Sequence, residues 1–140
     1  MQFDASVDRC VIVINQNLPL GLAINAASIV GVGIGNKIKQ LIGQDLISID
    51  GIDYPGVISS SLPILKATNE MIKKIQIDCS KLEGVYFLPF SLIAQSCKNY
   101  DDYVQKLTSA QDQDIQIAAI GLVGKKSKIN KLTGNLLLFK

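Results

Sequence analysis

The sequence contains no histidine, and that absence excludes more chemistry than any motif supplies. No Ser-His-Asp or Cys-His nucleophile can be assembled. Zinc loses its usual nitrogen ligand, and three scattered cysteines (Cys10, Cys79 and Cys97) make a poor ligand set. No metal is expected, and any general acid or base must be Asp, Glu, Lys, Tyr or Cys. Arginine is reduced to Arg9, and the only aromatics are four tyrosines and four phenylalanines, a thin provision for stacking bases. The net charge of +2 is too small to argue for nucleic acid by itself. Charged residues make up only 19% against 48% hydrophobic, which argues against disorder. The opening MQFDASVDR has acids where a signal peptide needs a base, and an odd number of cysteines fits reduced thiols, so a cytoplasmic location is expected.

What is present is a charge-free run from Cys10 to Asn36. A membrane span needs about 20 consecutive apolar residues, and this run is interrupted by Asn15, Gln16, Asn17 and Pro19. No membrane is therefore expected. Cys10 to Ile14 reads as a strand covered on both faces, and Asn15 to Pro19 has turn chemistry. From about Leu20 the spacing becomes helical. Ala23, Ala27, Gly31 and Gly35 form a stripe of small residues, with Leu22, Ala26, Val30, Ile34 and Ile38 as a bulkier ridge beside it. Glycine in a helix costs about 1 kcal/mol relative to alanine. The stripe is therefore expected to press closely on the sheet or on a second copy of the chain, in a helix packed on nearly all sides.

The 140 residues fit one domain, residues 1–140. Strands are expected at 45–49, 62–66, 115–123 and in the closing LLLF, and in VYFLPF up to Pro89. Helices are expected after Thr68 and after Asn99, each a natural N-cap, with Met71, Ile75 and Cys79 facing inward on the first. Alternating strands and helices predict a three-layer α/β fold with a largely parallel or mixed sheet.

Two glycine motifs invite and fail a nucleotide reading. Gly31-x-Gly33-x-Gly35 has the wrong spacing for a dinucleotide loop, and GLVGKKS (121–127) misplaces the first glycine of a P-loop. No cofactor is expected. Lys125 and Lys126, with Lys128 and Lys131, are either a solvated loop or a phosphate contact for RNA or a nucleotide. The turn that opens the first helix is the more promising site, because ligands in open α/β sheets gather beyond strand ends near helix N-termini. Asn17, Gly21, Asn25 and Ser28 stand around that opening, and Tyr54 could wall such a pocket. A small-molecule ligand is thus a candidate partner, and nucleic acid a further one.

Three stretches resemble class II peptidyl-tRNA hydrolases: LPLGLAINAAS (18–28), against LKMGKGKIAAQ in that family, IAAIGLVG (117–124) and KLTGNLLLF (131–139). The middle segment DGIDYPGVISSSLPILKAT (50–68) resembles the uncharacterised family numbered two thousand among domains of unknown function. The resemblance implies an α/β fold with a mixed sheet of about four strands, helices on both faces, and a homodimer. The family's catalytic lysines fall on Leu22 and Ile24, and its motif glutamine on Ser28. Its Asp-Ala-Gly motif has no match here, and Asp101, Asp102 and Thr108, which lie in that region, are the candidate catalytic residues. A leucine cannot hold a phosphate, so the expectation is the fold without that activity, binding a small ligand or partner. The alternative is a hydrolase of tRNA-linked or amide substrates through a reworked site.

Overall fold

The computed structural model describes residues 1–140. Its centre is β1 (Asp8–Asn15), flanked by parallel β4 (Ile64–Ala67) and antiparallel β6 (Ile117–Lys125). β5 (Tyr86–Ser91) and β7 (Leu137–Leu138) complete a mixed sheet of order β5-β6-β1-β4-β7. The sheet has five strands where about four were expected, and β1–β4 is its one parallel pair. β5 runs through Pro89 and is not ended by it. An edge strand tolerates proline because one side of its backbone needs no ladder partner.

Helices cover both faces. On one lies α1 (Leu20–Lys37), packed over Cys10, Ile12 and Ile14 of β1, Ala119 and Val123 of β6, and Phe90 of β5. On the other lie α2 (Asn69–Ser80) and α5 (Lys126–Thr133), over Val11 and Val13 of β1 with Ile120 and Leu122 of β6. Alternate residues of β1 thus enter different cores, which is why its run is apolar throughout and not alternating. Thr68 caps α2 by accepting from the Met71 amide at 3.2 Å. The inward face of α2 is Ile72, Ile75 and Cys79, while Met71 is partly exposed. The expected Met71 lies at the edge of that face, where it borders the groove between α2 and α5.

α1 departs furthest from expectation. It has the length and mean hydropathy (1.2) of a membrane span, yet its inner face is fastened to the sheet through Ala23, Ala26, Val30 and Ile34. The docked face takes Ala26, Val30 and Ile34 from the ridge and Ala23 from the small-residue stripe, while Leu22 of the ridge is exposed and a β-carbon at Gly31 would meet nothing within 4 Å. The opposite face, including Leu20, Ile24 and Val32, is open. Close approach instead comes from Gly33, which would collide with Leu88, and from Gly121 of β6, beneath Val30 and Ile34.

Beyond α1 and a short turn (Lys39–Leu41) the chain projects as a hairpin arm, β2 (Leu46–Ile47) pairing antiparallel with β3 (Asp53–Tyr54). Gly51, at φ +82°, makes its turn. At the base the Gly43 amide donates to Val57 at 2.8 Å, and the Gly56 amide to Asp45 Oδ1 at 2.8 Å. Every large apolar residue of the arm is exposed: Leu46, Ile47, Ile49, Ile52, Tyr54 and Val57. The remaining helices, α3 (Leu92–Ser96) and α4 (Tyr100–Thr108), sit beyond β5.

Candidate functional site

β1 and β4 end side by side, and α1 and α2 depart from that end to opposite faces, the arrangement that opens a crevice in many α/β sheets. Here the crevice is closed by its own polar groups. Buried Asn15 donates from Nδ2 to the Ile117 carbonyl at 3.1 Å, and its Oδ1 accepts from the Asn17 amide at 3.0 Å. Asn69 Oδ1 accepts from the Ile117 amide at 2.9 Å, and the Gln16 amide donates to the Ala67 carbonyl at 2.9 Å. Two asparagines therefore tie the ends of three strands together.

A cleft does exist one strand away. It lies between α1 and the β5–α3–α4 segment, has a volume of about 460 Å³, and is walled by Ile29, Leu88, Phe90, Tyr100 and Tyr103. This volume is in the range of small-molecule sites. Asn99 fixes one side by capping α4, its Oδ1 accepting from the Asp102 amide at 2.8 Å. Tyr100 and Tyr103, one helical turn apart, meet edge to face with ring centroids 5.5 Å apart. The Cys97 thiol donates to the Ile93 carbonyl at 3.1 Å. Burial, then the adjacent Asp102 carboxylate, pushes its pKa up. Burial also raises the Tyr103 hydroxyl, helped by Tyr100 and Cys97. At neutral pH thiol and phenol both keep their protons, so the polar groups inside are neutral, and the one charged side chain in the lining is Lys98. A thiol held protonated without a base is a poor nucleophile.

Of the expected ligand residues, Gly21, Asn25 and Ser28 share the outward face of α1, each exposed. Asn25 is joined to α3, where Gln95 Nε2 donates to its Oδ1 at 3.2 Å and to the Leu22 carbonyl at 2.8 Å. Ser28 turns back to the Ile24 carbonyl at 2.9 Å. Asn17 is exposed beside the closed crevice. Tyr54 stands on the arm, which is anchored at the other end of α1 through Leu41 and Gly43, about 27 Å of helix away. The structure thus does not gather these five residues. Among the candidate catalytic residues, Asp102 pairs with Lys106 at 3.3 Å beside Cys97, Asp101 is exposed, and Thr108 donates to the Val104 carbonyl at 2.6 Å. Lys125 pairs with Asp8 at 3.4 Å, and Lys126 donates to the Ser6 carbonyl at 3.2 Å. No three Asp, Glu or Cys side chains converge as a metal site would require.

The tyrosine pair of the cleft was not singled out from sequence. Its signal was a Tyr-x-x-Tyr spacing directly after the Asn99 cap, which puts both rings on one face. The matching wall comes from β5, 10 residues upstream and on a different element, and sequence spacing carries no sign of it.

The family described as protein of unknown function, DUF2000, matches residues 8–140. The chain belongs to the DUF2000 family. The match takes in the sheet, all the helices and the arm, so both the cleft and the arm fall within the family's sequence pattern. A solved structure of a protein of unknown function from Agrobacterium tumefaciens strain C58 is similar at a TM-score of 0.86, with 12% identity over 95% of this chain and 98% of that one. At that identity the likeness speaks for the fold alone. No curated protein matches the sequence.

Proposed function

We propose that this DUF2000 protein binds a small, largely apolar and preferably aromatic molecule in the cleft between α1 and α4, and does not hydrolyse peptidyl-tRNA. The observation that carries the reading is the cleft itself: two tyrosine rings and a phenylalanine around about 460 Å³, with neutral polar groups and Lys98 within it. Apolar walls supply affinity, and a few polar groups orient the ligand. Lys98 favours a ligand with one acidic group. A larger groove between α2 and α5, about 590 Å³, is lined by Lys74, Asp78, Asn130 and Lys131 and lacks aromatic walls.

Against hydrolysis, two positions that carry lysine in the peptidyl-tRNA hydrolases are Leu22 and Ile24, and both side chains are exposed hydrocarbon. An anionic transition state gains nothing from them. Three free thiols, two of them buried, favour a reducing compartment such as the cytoplasm.

The test is ligand-observed NMR with a set of small aromatic carboxylic acids and their neutral amides, together with a peptidyl-tRNA cleavage assay. Saturable binding lost in Ala94→Trp, which fills the cleft, is the expected result. Turnover of peptidyl-tRNA, or binding indifferent to Ala94→Trp, overturns the proposal.

A further inference from the structure

Two apolar surfaces of this chain have no partner within it. The first is the arm. A two-stranded hairpin is marginal in water unless something covers it, yet its apolar side chains are all exposed, Ile49 fully so at 102%. The second is the outward face of α1, where Leu20, Ile24 and Val32 are exposed, Val32 at 75%. The small Gly21 and Ser28 share that face, so another backbone can approach it closely. No charge interrupts α1 before Lys37. Neighbouring strand residues point to opposite sides, so one surface covers about half of the arm, and at about 100 Å² of apolar surface per fully exposed side chain that half and the helix face together offer roughly 400 Å² per copy. Two copies would bury roughly 800 Å² of apolar surface, which at an apolar share of about 60% corresponds to a total of roughly 1,300 Å², the lower end of specific stable interfaces.

Charge makes the same match. From Gln40 to Leu65 the chain has Asp45, Asp50 and Asp53 and no Lys or Arg. The first turn of α1 has no acidic residue, and Pro19 supplies no side-chain cap. The amides of Leu20, Gly21 and Leu22 therefore face outward with the positive end of the helix dipole. The arm springs from the C-terminal end of α1, so within one chain the acidic arm and this N-terminus lie at opposite ends of the helix.

We propose that two copies form a two-fold symmetric dimer in which the α1 helices pack antiparallel by their outward faces, and each arm runs along the other copy's α1, beginning at its first turn. Antiparallel packing brings each C-terminal end, where the arm begins, beside the partner's uncapped N-terminus. About 27 Å of helix and about 23 Å of arm from Gly43 to Asp50 are matched in length. One two-fold operation covers the helix face and one side of the arm and leaves no open end for further growth. This dimer is independent of the cleft and stands whether or not a ligand binds there.

Sedimentation velocity on the full chain tests it. The expected species has twice the 15.1 kDa mass of the chain. Val32→Asp and Ile49→Asp should each weaken the dimer by at least about 30-fold, as loss of a central anchor does, with the circular dichroism spectrum unchanged. Ile49 touches nothing that folds the monomer, so its variant separates association from folding. Mixed Leu20→Cys and Gln44→Cys chains, which join the start of α1 to the base of the partner's arm, should form an intermolecular disulfide. A monomer at about 100 µM, a dimer unaffected by both aspartate variants, or a monomer that instead binds lipid vesicles through the same residues overturns the proposal.

Discussion

Gly121 of β6 lies directly beneath Val30 of α1: a β-carbon on that glycine would stand 2.6 Å from Val30 Cγ1. The Ile34 side chain closes over the same spot. The helix therefore rests on backbone at this point, and β6 can be buried along nearly its whole length.

Gly121→Ala should destabilise the fold by about 1–3 kcal/mol, the usual cost of overpacking a filled core. Gly31→Ala is the contrast. It meets nothing within 4 Å, so removing the backbone freedom of glycine should stabilise α1 by about 0.5–1 kcal/mol. Urea unfolding midpoints of the two variants should move in opposite directions. Equal losses would mean that the small-residue stripe, and not the ridge, makes the close contact.

Asn15 holds a strand end and not a ligand. Asn15→Ala leaves the Ile117 carbonyl without its side-chain donor and the Asn17 amide without its acceptor. The expected loss is about 1–3 kcal/mol, that of leaving buried polar groups unpaired. Hydrogen exchange should show faster opening at the end of β1 and the start of β6 than at β5. A variant as stable as the parent would mean that Asn15 does not hold the strand ends together.

Burial pushes the Cys10 and Cys79 thiols up to about 11, from an ordinary value of 9.0. The sign follows from which state ionises first. Below pH 9 both states keep the proton and stability is unaffected. Between about 9 and 11 the unfolded chain loses it while the folded chain does not, so stability falls through that window. The loss is on the order of 2 kcal/mol per thiol. Urea unfolding at pH 8 and pH 10.5 should show it, and Cys79→Val should flatten the slope. In the native protein at pH 8 a thiol reagent should modify Cys97 alone, with the other two appearing only on unfolding.

In the cleft, Tyr103→Ala should weaken an aromatic ligand by about 1–3 kcal/mol, five-fold to more than a hundred-fold, through loss of a stacking wall. Tyr54→Ala, on the distant arm, should leave ligand affinity unchanged and act on self-association. Titration calorimetry with the best ligand from the NMR set checks both. Equal effects on affinity would place Tyr54 at the site after all.

Some of this was legible before the fold. The apolar run at Cys10–Ile14, the turn at Asn15–Pro19, the start of α1 at Leu20 and the caps at Thr68 and Asn99 all follow from neighbours within four residues. Capping and alternation are short-range effects, and the sequence by itself determined them. It also determined the absence of histidine chemistry.

Which face of α1 docks was decided only by the tertiary structure. A helix with no charge over most of its length has little contrast between its faces, so nothing local sets its rotation. Gly121, nearly a hundred residues away, sets it by offering a gap for Val30 and Ile34. β7 is a two-residue strand that exists because β4 presents an open edge to Leu137 and Leu138. The cleft likewise needs β5 and α4 brought to one place. Such long-range contacts depend on how elements close around the sheet, and no spacing within any one element encodes them.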